Sequence, residues 1–314
     1  LDSHLAFEDD IATLQAKPTS PQPAPAKPIQ QPLAWKGGTS KLVRGRIGQA
    51  ADFDGKRWIE SADAADFGDD ESFAISCWVR PTGAGAMTIL ARMDHDNSSR
   101  GYELRREVDG RLQVLFSGRI LDDLIRVETA SLIPTNQWSH LFVSSDGSSA
   151  ARGVAVRING EPEPLKVITD LLSNPIRVKL PLCVAAGGSG PQFVGQIDDL
   201  RFYRGRLTAQ AAMSLAAGDT ISEIAARPID DRTSRPQFEK LRQYYLAEHA
   251  PADQRRAWQQ VLATRDHYSA YLATIPTTMV MQDQQQPRET RLLKRGEYDK
   301  PGERVEPGLP AGGT

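Results

Sequence analysis

The chain has 314 residues, a formal net charge of −2 and 39% apolar residues. That length sets a prior of about two domains, and the balanced charge excludes the polybasic field of a nucleic-acid binder. No apolar run approaches the ~18–20 residues that span a bilayer. The two cysteines, Cys77 and Cys183, lie outside CxxC and CxxCH spacing, which removes zinc ribbons and haem attachment from this stretch.

Residues 1–16 place Leu5, Ile11 and Leu14 near helical spacing and read as the tail of a preceding helical region. Residues 17–35 form a linker: six prolines fall between 17 and 32, a density that favours extended polyproline conformation. The chain begins at Leu1 without Met and stops in Gly-Leu-Pro-Ala-Gly-Gly-Thr, so a fragment of something longer is expected.

From 36 to 217 the texture changes to short β-patterned segments separated by turns. Residues 73–79 alternate up to Trp78 and end at Arg80-Pro81, as a strand should. Further strands are expected at 86–93, 102–107, 111–117, 137–144, 154–158, 181–186 and 193–203. Asp109-Gly110 and Asn159-Gly160 are hairpin signals. Strands at such spacing without intervening helices predict an all-β sandwich rather than an α/β fold. Its closing strand is Val-Gly-Gln-Ile-Asp-Asp-Leu-Arg-Phe-Tyr at 194–203, where Gly195 permits a bulge beside Asp198 and Asp199. Cys77 and Cys183 sit among strand residues, either as buried free thiols or as a disulfide between strands, which needs Cα atoms within ~7 Å.

A short helix follows, with Thr208 as cap and Gly218 as stop. Residues 218–235 read as a polar connector, and 236–275 as an αα-hairpin broken at Ala250-Pro251, whose stripe of Phe238, Tyr244, Tyr245, Trp258 and Tyr268 is expected to be core. Residues 276–314 read as the start of a truncated domain with strands at 277–281 and 290–294.

The series at 51–55 (ADFDG), 72–81 (SFAISCWVRP), 137–140 (QWSH), 156–160 (VRING) and 195–203 (GQIDDLRFY) resembles laminin-G-like modules of the concanavalin A-like lectin/glucanase superfamily. That resemblance implies an all-β jelly-roll sandwich of two antiparallel sheets and a tendency to bind glycans or proteins. The segments TMVMQ at 278–282, PRET at 287–290 and LKRGEYDKPGE at 293–303 resemble the opening of an uncharacterised domain of large planctomycete-type proteins, in which such a module is associated with cytochrome c segments. This second resemblance implies an exported protein, periplasmic or at the cell surface, with other domains of the same chain as partners; the haem motif itself is missing here.

In the lectin/glucanase resemblance a calcium ion can lie where an early Asp-bearing turn meets the closing strand. Asp52, Asp54, Asp198 and Asp199 are therefore the metal candidates, because Ca²⁺ takes six to eight oxygen ligands. The opposing reading is that they shape turns and pair with arginines. Asp94, Asp96, Asn97 and Arg100 of a polar loop, with Trp58 as a stacking surface, are the candidate ligand-binding residues. Glycoside hydrolysis needs two carboxyl groups ~5–10 Å apart. The Glu-x-Asp-x-x-Glu run that many glucanases of this superfamily carry does not occur between 36 and 217, and no Ser/His/Asp or Cys/His set stands out. The module is read as non-catalytic, a carbohydrate-binding or adhesive unit, with an architectural spacer in a haem or redox protein as the alternative.

Overall fold

The computed structural model describes residues 3–5, 33–228, 234–275, 289–293 and 300–306. The strands in chain order are β1 (Ser3–Leu5), β2 (Ala34–Lys36), β3 (Leu42–Arg44), β4 (Gln49–Asp54), β5 (Trp58–Ser61), β6 (Phe73–Pro81), β7 (Met87–Asp94), β8 (Arg100–Arg106) and β9 (Arg111–Arg119). They continue with β10 (Asp123–Leu132), β11 (Ser139–Ser145), β12 (Val154–Ile158), β13 (Glu161–Pro162), β14 (Leu165–Asp170), β15 (Leu182–Val184), β16 (Val194–Arg204), β17 (Thr290–Leu293) and β18 (Pro301–Val305). The helices are α1 (Ala209–Leu215), α2 (Ile221–Ala226), α3 (Arg235–Tyr244), which runs into a π-helical turn at Tyr245–His249, and α4 (Ala252–Ala273).

Two eight-stranded antiparallel sheets make the sandwich. Sheet I runs β13-β12-β11-β6-β16-β4-β3 with β1 also on β16; sheet II runs β14-β10-β9-β8-β7-β15-β5-β2. Alternation decides which side chains enter the space between them. Ile75, Cys77 and Val79 of β6 go in, with Ile197, Leu200 and Phe202 of β16; from sheet II come Leu104, Val114, Phe116, Ile125 and Val127. Phe67 and Phe73 stack at 4.3 Å at the centre of this layer. A fully buried side chain of this size contributes about 1.5–3 kcal/mol. The expected closing strand β16 is central in sheet I, flanked by β6 and β4.

The hairpin signals hold: Gly110 turns β8 into β9, and Asn159 and Gly160, both at positive φ, turn β12 into β13. Three expectations change, and the choice left open for the cysteines is settled. Ser3–Leu5 is extended and paired to β16, because backbone pairing outweighs a weak local helical spacing; the rest of 6–16 lies outside the described residues, as does the strand expected at 277–281. The connector contains α2, begun by a capping box of Thr220 and Glu223. Both cysteines are free: Cys77 points into the core from sheet I, and Cys183 pairs in register with Glu60 and Ala91 in sheet II. The aromatic stripe of the helical hairpin is not core, since Phe238, Tyr245 and Tyr268 are exposed; α3 instead buries Gln237, Glu239 and Gln243. The polar ground beneath it explains this reversal.

Residues Leu1–Ala273 form one compact unit and Thr274–Thr314 a second, in which β17 and β18 make a hairpin. No helix among the described residues is long and apolar enough to cross a membrane.

Candidate functional site

The two outer faces of the sandwich differ. On sheet I, Ala74, Phe142 and Tyr203 meet Ala212 of α1, with Leu207 and Leu215 alongside. Next to them is a buried polar layer. Arg201 donates to Asp199 at 2.9 Å; Lys240 of α3 donates to the carbonyls of Ala217 and Asp219. Asp219 accepts from Arg46, Arg227 and Gln237. Burial works against the Asp219 charge, but the hydrogen bonds from Gln237, Arg227 and Arg46 outweigh it and hold the carboxyl below its ordinary range. This face is closed by helices.

It also holds a contact that looks like nucleophile chemistry, Ser76 Oγ against His140 Nε2 at 2.9 Å. Desolvation pushes His140 down to about 3, so its ring is neutral at physiological pH. Its Nδ1 has no hydrogen-bond partner to orient it, and both residues are buried. A catalytic pair needs substrate access and an orienting acceptor, and this pair has neither. Burial likewise pushes the thiols of Cys77 to about 12 and Cys183 to about 11, away from thiolate chemistry.

The outer face of sheet II carries rows of polar side chains interrupted by an apolar cluster of Ala91, Met93, Leu115 and Leu124. Register places Glu60, Cys183, Ala91, Glu103, Leu115, Arg126 and Thr169 in one row across seven strands. The next row holds Thr88, Arg105, Gln113, Glu128 and Lys166. Gln113 donates to Glu128 at 3.3 Å, and Arg105 pairs with Glu107 at 2.5 Å. Arg126 Nε and Ser117 Oγ, neighbours on this face, are buried without a hydrogen-bond partner.

A strap between β15 and β16 lies across part of the face. Glu103, 1% exposed, accepts from Thr88 Oγ1 at 2.7 Å and from the N–H and hydroxyl of Ser189 at 3.1 and 2.7 Å. A Cβ on Gly188 would lie 2.1 Å from Glu103 Oε1, so the strap comes this close only with glycine there. This glycine-rich strap is thus fixed by a buried carboxylate.

The predicted ligand-binding residues fall into two places. Asp94, Asp96, Asn97 and Arg100 form the β7–β8 hairpin at one end of sheet II, where Asp94 Oδ1 accepts the N–H of Asn97. His95 of this hairpin touches the strap through Gly187 O at 3.0 Å. Trp58 stands on β5, beside Ile59, which is level with Leu90 across β15. That is about five residues, or ~16 Å, from Asp94 along β7, so Trp58 and the hairpin do not share one subsite. Glu103, Arg105, Gln113 and Arg126 were not singled out from sequence. Their signal is alternation, since Tyr102, Leu104, Leu112 and Val114 between them are core.

The predicted metal residues are each engaged elsewhere. Asp52 pairs with Lys41 at 2.6 Å and faces Arg57 at 3.9 Å. Asp54 Oδ1 accepts the N–H groups of Lys56 and Arg57, and the bond from Lys56 does most to lower its carboxyl from the ordinary value. A bulge between Asp198 and Arg201, with Asp199 at φ +49°, leaves both carboxylates buried. Asp199 goes to Arg201, and Asp198 accepts the N–H of Ile47 at 2.8 Å. Desolvation lifts Asp198 to about 6 despite that bond. Among the described residues no three His, Cys, Asp or Glu side chains converge as metal ligands. A calcium ion needs several free oxygens, and carboxylates facing guanidinium, ammonium and N–H groups do not fit it.

The sequence pattern of the laminin-G group of that fold family matches residues 53–212, just over half of the 314. The chain belongs to the concanavalin A-like lectin/glucanase superfamily. No curated protein matches it in sequence. Among solved structures, this chain is similar to domain 4 of AbnA, a GH43 extracellular arabinanase from Geobacillus stearothermophilus, in complex with arabinotriose. There the identity is 24% over 59% of this chain and 88% of that one, with a TM-score of 0.42. It is also similar to the binding domain of Paraclostridial Mosquitocidal Protein 1, at 19% identity, 61% and 48% coverage and a TM-score of 0.48. A third is the Ruminococcus gnavus IT-sialidase CBM40 bound to alpha2,3 sialyllactose, at 12% identity, 46% and 83% coverage and a TM-score of 0.38. The chain spans about half the length of the mosquitocidal binding domain.

Proposed function

We propose that this chain is a non-catalytic carbohydrate-binding module whose ligand surface is the outer face of sheet II. The observation that carries the reading is the contrast between faces: helices close sheet I, whereas sheet II presents the half-buried Arg105, Arg126 and Glu128 in adjacent rows over the buried Gln113. Side chains of these types bond sugar hydroxyls in pairs, as donor and acceptor together. Superfamily membership supports the same class of ligand. The β7–β8 hairpin, with Asp96, Asn97 and Arg100, borders this surface at one end. The reading also takes the module as part of a larger exported protein, which fractionation of cells carrying the complete reading frame would check.

A polysaccharide array probed with the full chain tests the reading. Binding to at least one polysaccharide is expected, weakened by about tenfold or more in Arg126→Ala and Glu128→Ala with unchanged melting. Absence of binding across the array, or binding indifferent to both substitutions, would refute it.

A further inference from the structure

Arg126, in the middle of β10, is left over from the ion pairs of sheet II. It is half-buried, its Nε is buried without a hydrogen-bond partner, and its guanidinium enters no ion pair among the described residues. Leu115 and Thr169, opposite it on the two neighbouring strands, bring no charge. The carboxylates around it are already taken. Glu128 accepts from Gln113, Glu103 accepts from Thr88 and Ser189, Asp122 pairs with Arg119, and Asp123 accepts from Ser173 and Asn174. A guanidinium half withdrawn from water without a counter-charge works against the fold. Its fork of N–H donors is shaped for a planar carboxylate.

We propose, on the reading of sheet II as the glycan surface, that Arg126 receives the carboxylate of a uronic-acid residue, so that the ligand is an acidic polysaccharide rather than a neutral one. Register sets the exposed Lys166 opposite Glu128, so Arg126 and Lys166 against Glu128 leave one positive charge over on this part of the face. That surplus matches a sugar with a single carboxylate. A densely sulfated chain needs a field of cations, and a face that also carries Glu60, Glu107 and Glu128 does not supply one. Leu115 and Leu124 of the apolar cluster lie beside Arg126 and keep the local dielectric below that of water, which strengthens an ion pair formed there. Glu128 and Arg105 remain to bond the hydroxyls of the same chain.

Binding of the full chain to polygalacturonate, alginate and hyaluronate, each beside its methyl ester, tests this on an unchanged sugar backbone. At least one uronate is expected to bind, about tenfold or more tighter than its ester. Arg126→Met keeps most of the stem and removes the charge; it should abolish that difference at unchanged melting temperature, whereas Arg126→Lys should retain part of it. Uronate and ester bound alike, a Met variant that binds the uronate as wild type does, or dextran sulfate preferred to every uronate would overturn the proposal. Binding confined to neutral polysaccharides would overturn it and leave the carbohydrate-binding reading standing, and no binding to any polysaccharide would remove both.

Discussion

Asp198 stands in the central strand of sheet I with its carboxylate against the β3–β4 turn, so tightly that a Cβ on Gly45 would fall 2.4 Å from Oδ2. Desolvation holds its pKa at about 6, against 3.8 for the free side chain. The sign follows from proton counting. Between about pH 4 and 6 the folded chain keeps a proton that the unfolded chain has released, so this group's contribution falls as pH rises through that window and is flat above it. The gap corresponds to about 3 kcal/mol at most, which partial hydration of the carboxylate reduces to about 2 kcal/mol. Asp198→Asn keeps an acceptor for Ile47 N–H and removes the titration. Urea unfolding of both proteins from pH 4 to 8 isolates the effect, because every other titrating group cancels in the difference. Relative to wild type, the variant should gain about 2 kcal/mol between pH 4 and 7. A difference that is constant with pH, or that moves the opposite way, would show that Asp198 is not desolvated as described.

Other substitutions probe the rest of the frame. Gly101 has φ +132°, and a Cβ there would lie 2.0 Å from Arg92 O; Gly101→Ala should destabilise by on the order of 3 kcal/mol in urea unfolding. Asp219→Ala removes the acceptor shared by Arg46, Arg227 and Gln237. It should cost about 3 kcal/mol and open the chain to proteolysis after residue 217, whereas a wild-type cleavage pattern would argue that the helices are held by something else. Calcium or EDTA should leave the melting midpoint in place, and a clear rise with calcium would restore Asp52, Asp54, Asp198 and Asp199 as ligands.

The fold was legible where local chemistry and tertiary packing agree. Phe73 to Val79 alternates because one face of β6 enters the core, and Asn159-Gly160 turns because both residues take positive φ. The long strand β10 escaped notice although Ile125 and Val127 alternate with Arg126 and Glu128, because no glycine or proline punctuates its start. The helical stripe misled for a different reason. Its aromatic residues look like core only if the opposing surface is apolar, and α3 meets the region of Asp219 and Arg201 instead. The polar ladder of sheet II has the same limit: alternation shows that Glu103 and Arg105 point away from the core, but only the assembled sheets show which outer face the helices leave open.

The polar underside of α3 has a bearing on how the module comes apart. A helix seated by apolar contact can slide by a turn and still bury its surface; one seated through Gln237, Lys240 and the Asp219 carboxylate loses its bonds after a small displacement. Its docking is thus selective in register and weakened by salt. When α3 lifts off, the newly wetted groups on its inner side are amide, ammonium and carboxylate, so release there adds little to the surface that drives clumping.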